Sequence, residues 1–257
     1  MLKERIAKIY FYRHALWNMA LSQLKAKYSG SVLGISWAII NPLLVMLALT
    51  FVFVAIFKIE IKNFPLFALS GIFPWMFFSN ALSEATGSVI SQQSILRQFN
   101  LPREIIPLSS VLSNFLNFLI GWIIIYPLFL LFNPKAILLL PLLLFILLLN
   151  LMFTWGLSLI FSVGNVFIRD ISQLLGVILM LWFWITPIFY SVDMVPLRLR
   201  WVCDFNPLAP FIIYYRDILL LRNIPSITIF LKAIVFTFIS LVLGLIIFSS
   251  NESKLLK

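Results

Sequence analysis

The sequence predicts an all-α integral membrane protein with six transmembrane helices, an amino-terminal interfacial amphipathic helix and a re-entrant helical pair between spans five and six. Three observations carry that expectation. Apolar residues make up 62% of the chain and charged ones only 11%, with a mean hydropathy of +1.07, which leaves too little polar surface to enclose a water-soluble globule. Several apolar runs reach the roughly 20 residues that a helix rising about 1.5 Å per residue needs to cross about 30 Å of hydrocarbon. The 19 Lys and Arg outnumber the 9 Asp and Glu, an excess that the positive-inside bias explains without a nucleic-acid partner.

Residues 1–31 form the interface segment. Ile6, Ile9, Tyr10, Ala15, Leu16, Met19 and Ala20 approximate a helical stripe, with Lys3, Arg5, Lys8 and Arg13 mostly off it, as in a helix lying at a membrane surface. The charges scattered through this segment and its lack of a small-residue cleavage site predict no cleaved signal peptide. The transmembrane domain follows over 32–257. Span one is expected from about Val32 to Phe57, span two from Phe64 to Val89, span three from Ile105 to Phe132, span four from Ile137 to Val163, span five from Leu174 to Tyr190, and span six from Ile229 to Phe248. Between spans five and six, about 193–226, the chain is rich in Pro, and the apolar PFIIYY is too short to cross before Arg216 and Asp217. A re-entrant pair of short helices avoids taking those charges across the bilayer. Pro74, Pro127, Pro141 and Pro187 are expected to interrupt their spans.

Six spans put both ends on one side. Eleven basic residues lie in the amino-terminal segment, the even-side loops (Arg97, Arg103, Arg169) and the tail, against eight elsewhere, which predicts cytoplasmic termini. A single cysteine, Cys203, excludes an intrachain disulfide or cysteine cluster, and a single histidine, His14, leaves no histidine-based metal or acid/base constellation. No catalytic or metal site and no cofactor of this chain's own is therefore expected. No Walker A pattern and no Gly-Lys dipeptide occurs, so any ATP that drives the protein is bound by another chain.

Several stretches, in order, resemble one family. KAKYSGSVLGISWAIINPLL, GIFPWMFFSNAL, NLPREIIPLS, FIRDISQ, WFWITPIFY and FNPLAPFIIYYRDILL are similar to landmarks of the type 2 ATP-binding-cassette exporter permeases that move bacterial surface polysaccharides: O-antigen, capsule and teichoic acid. Lys27 stands where Arg is the commoner choice, and lacks the planar fork of Arg for a bidentate phosphate contact. The resemblance implies a homodimeric half-transporter in the bacterial plasma (inner) membrane. It is paired with two copies of a separate ATPase that uses ATP and Mg, and is loaded with a polyprenyl pyrophosphate-linked polysaccharide.

That resemblance gives the polar interruption SQQSILRQFNLPREIIP a role as a cytoplasmic coupling helix, about 91–103. Arg97, Gln98, Phe99, Leu101, Pro102, Arg103 and Glu104 would contact the ATPase, with Pro102 ending the helix. Aromatic rings stack on the C–H faces of sugars without fixing a register. Trp75, Phe78, Trp155, Trp182, Trp184 and Tyr190 are thus candidates for a polymer channel, although Trp and Tyr also gather at membrane interfaces regardless of function. Lys25, Lys27 and Tyr28 are candidates for the carrier head group, with attraction to ordinary anionic lipid as the competing role. Arg198, Arg200, Arg216 and Asp217 are candidates for an outer gate. Glu84 stands out as an acid within or near a span. It is also the one good coupling group for a competing reading, an ion-coupled carrier. A drug or small-lipid exporter is a further alternative. An enzyme acting on lipid-linked sugars is disfavoured, because the nine acids are scattered singly.

Overall fold

In a computed structural model that describes residues 2–98, 101–221 and 224–251, most of the described residues are helical and no strand occurs among them. The helices in order are α1 (Leu2–Phe11), α2 (Arg13–Tyr28), α3 (Trp37–Thr50), α4 (Phe64–Ser91), α5 (Gln93–Gln98), α6 (Ile105–Phe132), α7 (Leu140–Phe167), α8 (Ile171–Ile185), α9 (Arg200–Phe205), α10 (Ala209–Arg216) and α11 (Ile227–Asn251). Among the described residues, five helical stretches are long and apolar enough to cross a membrane: Gly34–Ile56, Phe64–Ser91, Ile105–Phe132, Pro134–Phe167 and Ile227–Asn251. They coincide with expected spans one to four and six.

The fold is organised around α4. Most of its apolar window is buried, 78% against 11% for the stretch that holds α3, because α3, α6, α7, α8 and α10 all pack on it. Its side chains from Phe64 to Val89 supply much of one continuous apolar core. Leu44, Leu47 and Phe51 on α3 and its extension are exposed. In water such a face would be a liability, whereas lipid or another membrane helix solvates it without cost. The serine and threonine hydroxyls of α4 are absorbed locally: Ser70 donates to the carbonyl of Phe67, Ser79 to that of Met76 and Thr86 to that of Leu82.

Expected span five is the exception. Its helix α8 stops at Ile185, five residues before Tyr190, and at 15 residues it rises only about 22 Å. Thr186 turns to an extended conformation (φ −82°, ψ 137°), as the residue before a proline prefers, and Thr186–Tyr190 continue without helix. Pro141 also departs from expectation. It lies in the first turn of α7, where its missing N–H costs no helical hydrogen bond, whereas Pro42, Pro74 and Pro127 are inside α3, α4 and α6.

The segment between α8 and α11 holds two short 3-10 turns, α9, α10 and a π-helical turn at Asp217–Leu221. Of these, α10 is embedded against α4, α7 and α11, with Phe211, Tyr214 and Tyr215 buried.

Candidate functional site

The last turn of α2 brings two of its side chains onto α6 and α4. Gln23 and Lys27 are one turn apart on α2, so they share a face, and Tyr28 follows. Gln23 Nε2 donates to Ser109 Oγ at 2.9 Å, Lys27 Nζ donates to Asn114 Oδ1 at 2.8 Å, and the Tyr28 hydroxyl donates to Asn117 Oδ1. Burial pushes the Tyr28 phenol above its ordinary value, so it remains a neutral donor in that contact. Three polar bonds therefore fix α2 against the amino-terminal half of α6.

Glu84 of α4 closes the arrangement. Its Oε1 lies 2.8 Å from Lys27 Nζ, and its Oε2 accepts from Asn114 Nδ2 at 2.6 Å. Asn114 thus bridges the ammonium and the carboxylate, its own amide also donating to the carbonyl of Ser110 at 3.0 Å. The pair is only partly shielded, with side-chain exposures of 25% for Lys27 and 43% for Glu84, so screening limits its strength. Reversing one charge, by Lys27→Glu or Glu84→Lys, is expected to cost about 1 kcal/mol, and the double swap to recover at least half. The buried Cys203 is the chain's sole cysteine, so a thiol-reactive dye followed through a thermal ramp measures each variant. A double swap no better than the singles would show that the charges do not interact.

Next to this pair lies a cavity of about 480 Å³, walled by the end of α2, α3, α4 and α6. On α4, Phe73, Phe77, Asn80 and Glu84 line it; their spacing of four, three and four residues keeps them on one helical face. From α3 come Trp37 and Asn41. Asn41 is an isolated amide in an apolar helix, whereas Asn80 lies in the polar run of α4 and Ser110, Asn114 and Asn117 repeat at four and three residues on α6, a spacing that puts them on one helical face.

The other candidate residues scatter. Trp75 and Phe78 are core side chains in the isolated chain: Trp75 is 6% exposed and packs on Phe78 and Phe183, and Phe78 is fully buried between Phe153 and Trp182. Trp155 is half-buried in the same core. Trp182 donates its indole N–H to Asn206 Oδ1 at 2.8 Å, and the Tyr190 hydroxyl donates to the carbonyl of Ile185 at 2.7 Å. Trp184 is exposed. Lys25 is exposed and is not part of the cavity wall.

Of the gate candidates, Arg198 is exposed and Asp217 half-buried. Arg200 bonds its own loop, to the carbonyls of Val195 and Asp193 at 3.2 and 3.4 Å. Arg216 is buried, and its guanidinium donates to the carbonyls of Pro187 (3.0 Å), Ile188 (2.8 Å) and Tyr190 (3.4 Å). It braces the segment after α8.

In the coupling segment, α5 covers Gln93–Gln98; Phe99 and the side chain of Arg97 lie outside the described residues. Leu101, Pro102 and Arg103 are half-buried, whereas Glu104 is 2% exposed, buried within the chain. The Pro102 carbonyl accepts from the amide of Ile105 at 3.0 Å, so Pro102 belongs to the turn that opens α6.

Comparison with known proteins places these features. The family described as ABC-2 type transporter matches residues 14–220. An O-antigen export system permease protein RfbA of Klebsiella pneumoniae is 34% identical over 203 residues, 76% of each chain, and one of Myxococcus xanthus is 27% identical over 226 residues, 86% of each. The polysialic acid transport protein KpsM of Escherichia coli is 23% identical over 246 residues, 92% of this chain and 93% of its own. A match spanning both the α2–α4–α6 site and the braced segment after α8 settles the family: the chain belongs to the ABC-2 type transporters.

Proposed function

We propose that this chain is the membrane permease subunit of an ATP-driven exporter that carries a lipid-linked surface polysaccharide out across the bacterial plasma membrane. The observation that carries the reading is the likeness to O-antigen export permeases over 76% of the chain, joined to a helical architecture with five candidate spans. The short α8 with its extended tail makes a sixth crossing, with α9 and α10 as the re-entrant pair, so both termini face the cytoplasm. The exposed face of α3 suits a homodimer, in which a passage between two copies would use exposed rings such as Trp184.

ATP is hydrolysed on a separate subunit, two copies per dimer. The loop holding α5 is the natural contact for it, because α5 joins α4, the central helix, to α6, and displacement there moves both. An ion-coupled carrier built on Glu84 is less suited, since that carboxylate is already neutralised by Lys27 at 2.8 Å.

The test is co-purification. In mild detergent the native protein is expected to bring down a stoichiometric ATPase, and Leu101→Asp with Arg103→Glu to lose at least nine-tenths of it (about 1.4 kcal/mol per tenfold) while keeping the thermal midpoint. Purification of the native chain alone under every mild condition would overturn the exporter reading.

A further inference from the structure

We propose that the cavity between α2, α3, α4 and α6 is a binding site for uncharged sugar units of the exported glycan, distinct from whatever holds the carrier's pyrophosphate. The inference rests on the exporter reading for the source of the sugar, and on the cavity itself for the chemistry. Its formal charge is zero, because the one ammonium and the one carboxylate on its wall, Lys27 and Glu84, are paired at 2.8 Å. Two of the three N–H donors of Lys27 are committed, to Glu84 Oε1 and Asn114 Oδ1. A pyrophosphate entering here would meet the Glu84 carboxylate and would have to break that pair to gain its single cation, with no fork of donors to hold it. The expectation that Lys27 and Tyr28 receive the anionic head group is therefore at odds with how both are used.

A polyol meets no such obstacle. Glu84 has lone pairs left to accept from hydroxyls. Asn41 and Asn80, on facing helices, line the cavity and make no hydrogen bond within the described residues, so each amide offers both donors and an acceptor. Half-buried Trp37 adds a ring to the same wall, of the kind on which the C–H face of a pyranose packs. At about 480 Å³ the space falls within the range of small-molecule sites, about 300–1,000 Å³, enough for a short stretch of glycan and not for a folded chain.

The experiment uses the permease with its co-purified ATPase in lipid nanodiscs. The probe is the neutral oligosaccharide released by mild acid from the host's own surface polymer and treated with phosphatase; inorganic pyrophosphate is the competitor. Saturation-transfer NMR is expected to show transfer to the sugar ring protons. That signal should fall at least fivefold in Asn41→Leu/Asn80→Leu, whose side chains make no internal hydrogen bond to lose, and should be untouched by equimolar pyrophosphate. Absence of transfer with the native complex, transfer unchanged in the variant, or displacement by pyrophosphate would each overturn the proposal. The two readings fail separately: loss of the ATPase from the preparation counts against the exporter, and the saccharide signal is then still read on the permease alone.

Discussion

Replacing Arg216 with methionine is expected to lower the thermal midpoint of the protein by on the order of 10 °C, the effect of roughly 3 kcal/mol in a chain of this size. The reason lies in the stop of α8. Thr186–Tyr190 leave the helix while still packed in the protein core, and carbonyls freed away from water must find donors inside the protein. The Arg216 guanidinium supplies them, reaching Pro187, Ile188 and Tyr190 at once while its carbon sits 3.6 Å from the centroid of the Phe67 ring. Gly71 makes the approach possible, since a Cβ there would come within 2.9 Å of the Ile188 carbonyl oxygen. Methionine fills the volume but leaves these acceptors unpaired, at about 1–3 kcal/mol for each that stays buried. Arg216→Lys keeps the charge and loses the planar fork and the stacking, so it should fall between the two. Phe67→Leu keeps every carbonyl bond and should cost about 1 kcal/mol. A thiol-dye ramp on Cys203 reads all three, and a methionine variant melting within two degrees of the native protein would show that the segment needs no brace.

The spans were legible because crossing a bilayer imposes a length and a composition that any window of residues reveals on its own; span three was read to its ends, Ile105 and Phe132. What the sequence concealed depends on which partner a side chain meets. Lys27 and Glu84 are 57 positions apart, and nothing in either neighbourhood says that one neutralises the other through Asn114. Trp75 and Phe78 have the composition of a sugar-stacking surface and the position of a core, and composition cannot separate the two. Arg216 was a gate candidate by its place in the re-entrant segment, and its neighbours in sequence name no partner for it. It is buried because the backbone after Pro187 needs more donors than it contains. The Pro187 signal was visible; that a residue 29 positions later would answer it was not.

The second large effect is expected at Gly156, where leucine should abolish recovery of folded protein. In lipid there is no hydrophobic force drawing one apolar helix to another, so contact must come from close packing and from polar bonds between helices. The α7–α11 pair uses both. Leu149, Phe153 and Gly156 follow one face of α7, and Thr237, Ser240 and Gly244 one face of α11, each set spaced for a single helical stripe. The Thr237 hydroxyl donates across to the carbonyl of Leu149 at 3.4 Å, and that of Ser240 to the carbonyl of Phe153 at 3.2 Å. At the crossing point, a Cβ on Gly156 would overlap the backbone of Ser240 and Leu241, and one on Gly244 would overlap the carbonyl of Gly156. Neither clash can be relieved by rotating a side chain, because backbone stands on the other side. A leucine at Gly156 must therefore push the helices apart, break both hydroxyl bonds and open the contact between α11 and the core, a loss of about 3–5 kcal/mol. Gly244→Ala is expected to be milder but still destabilising. Gly176→Leu is the matched control, since nothing lies within 4 Å of a Cβ there. Size-exclusion profiles of the detergent-solubilised variants decide the matter: a monodisperse Gly156→Leu peak at the native position, as tall as that of Gly176→Leu, would mean that the glycine crossing does not hold α11 in place.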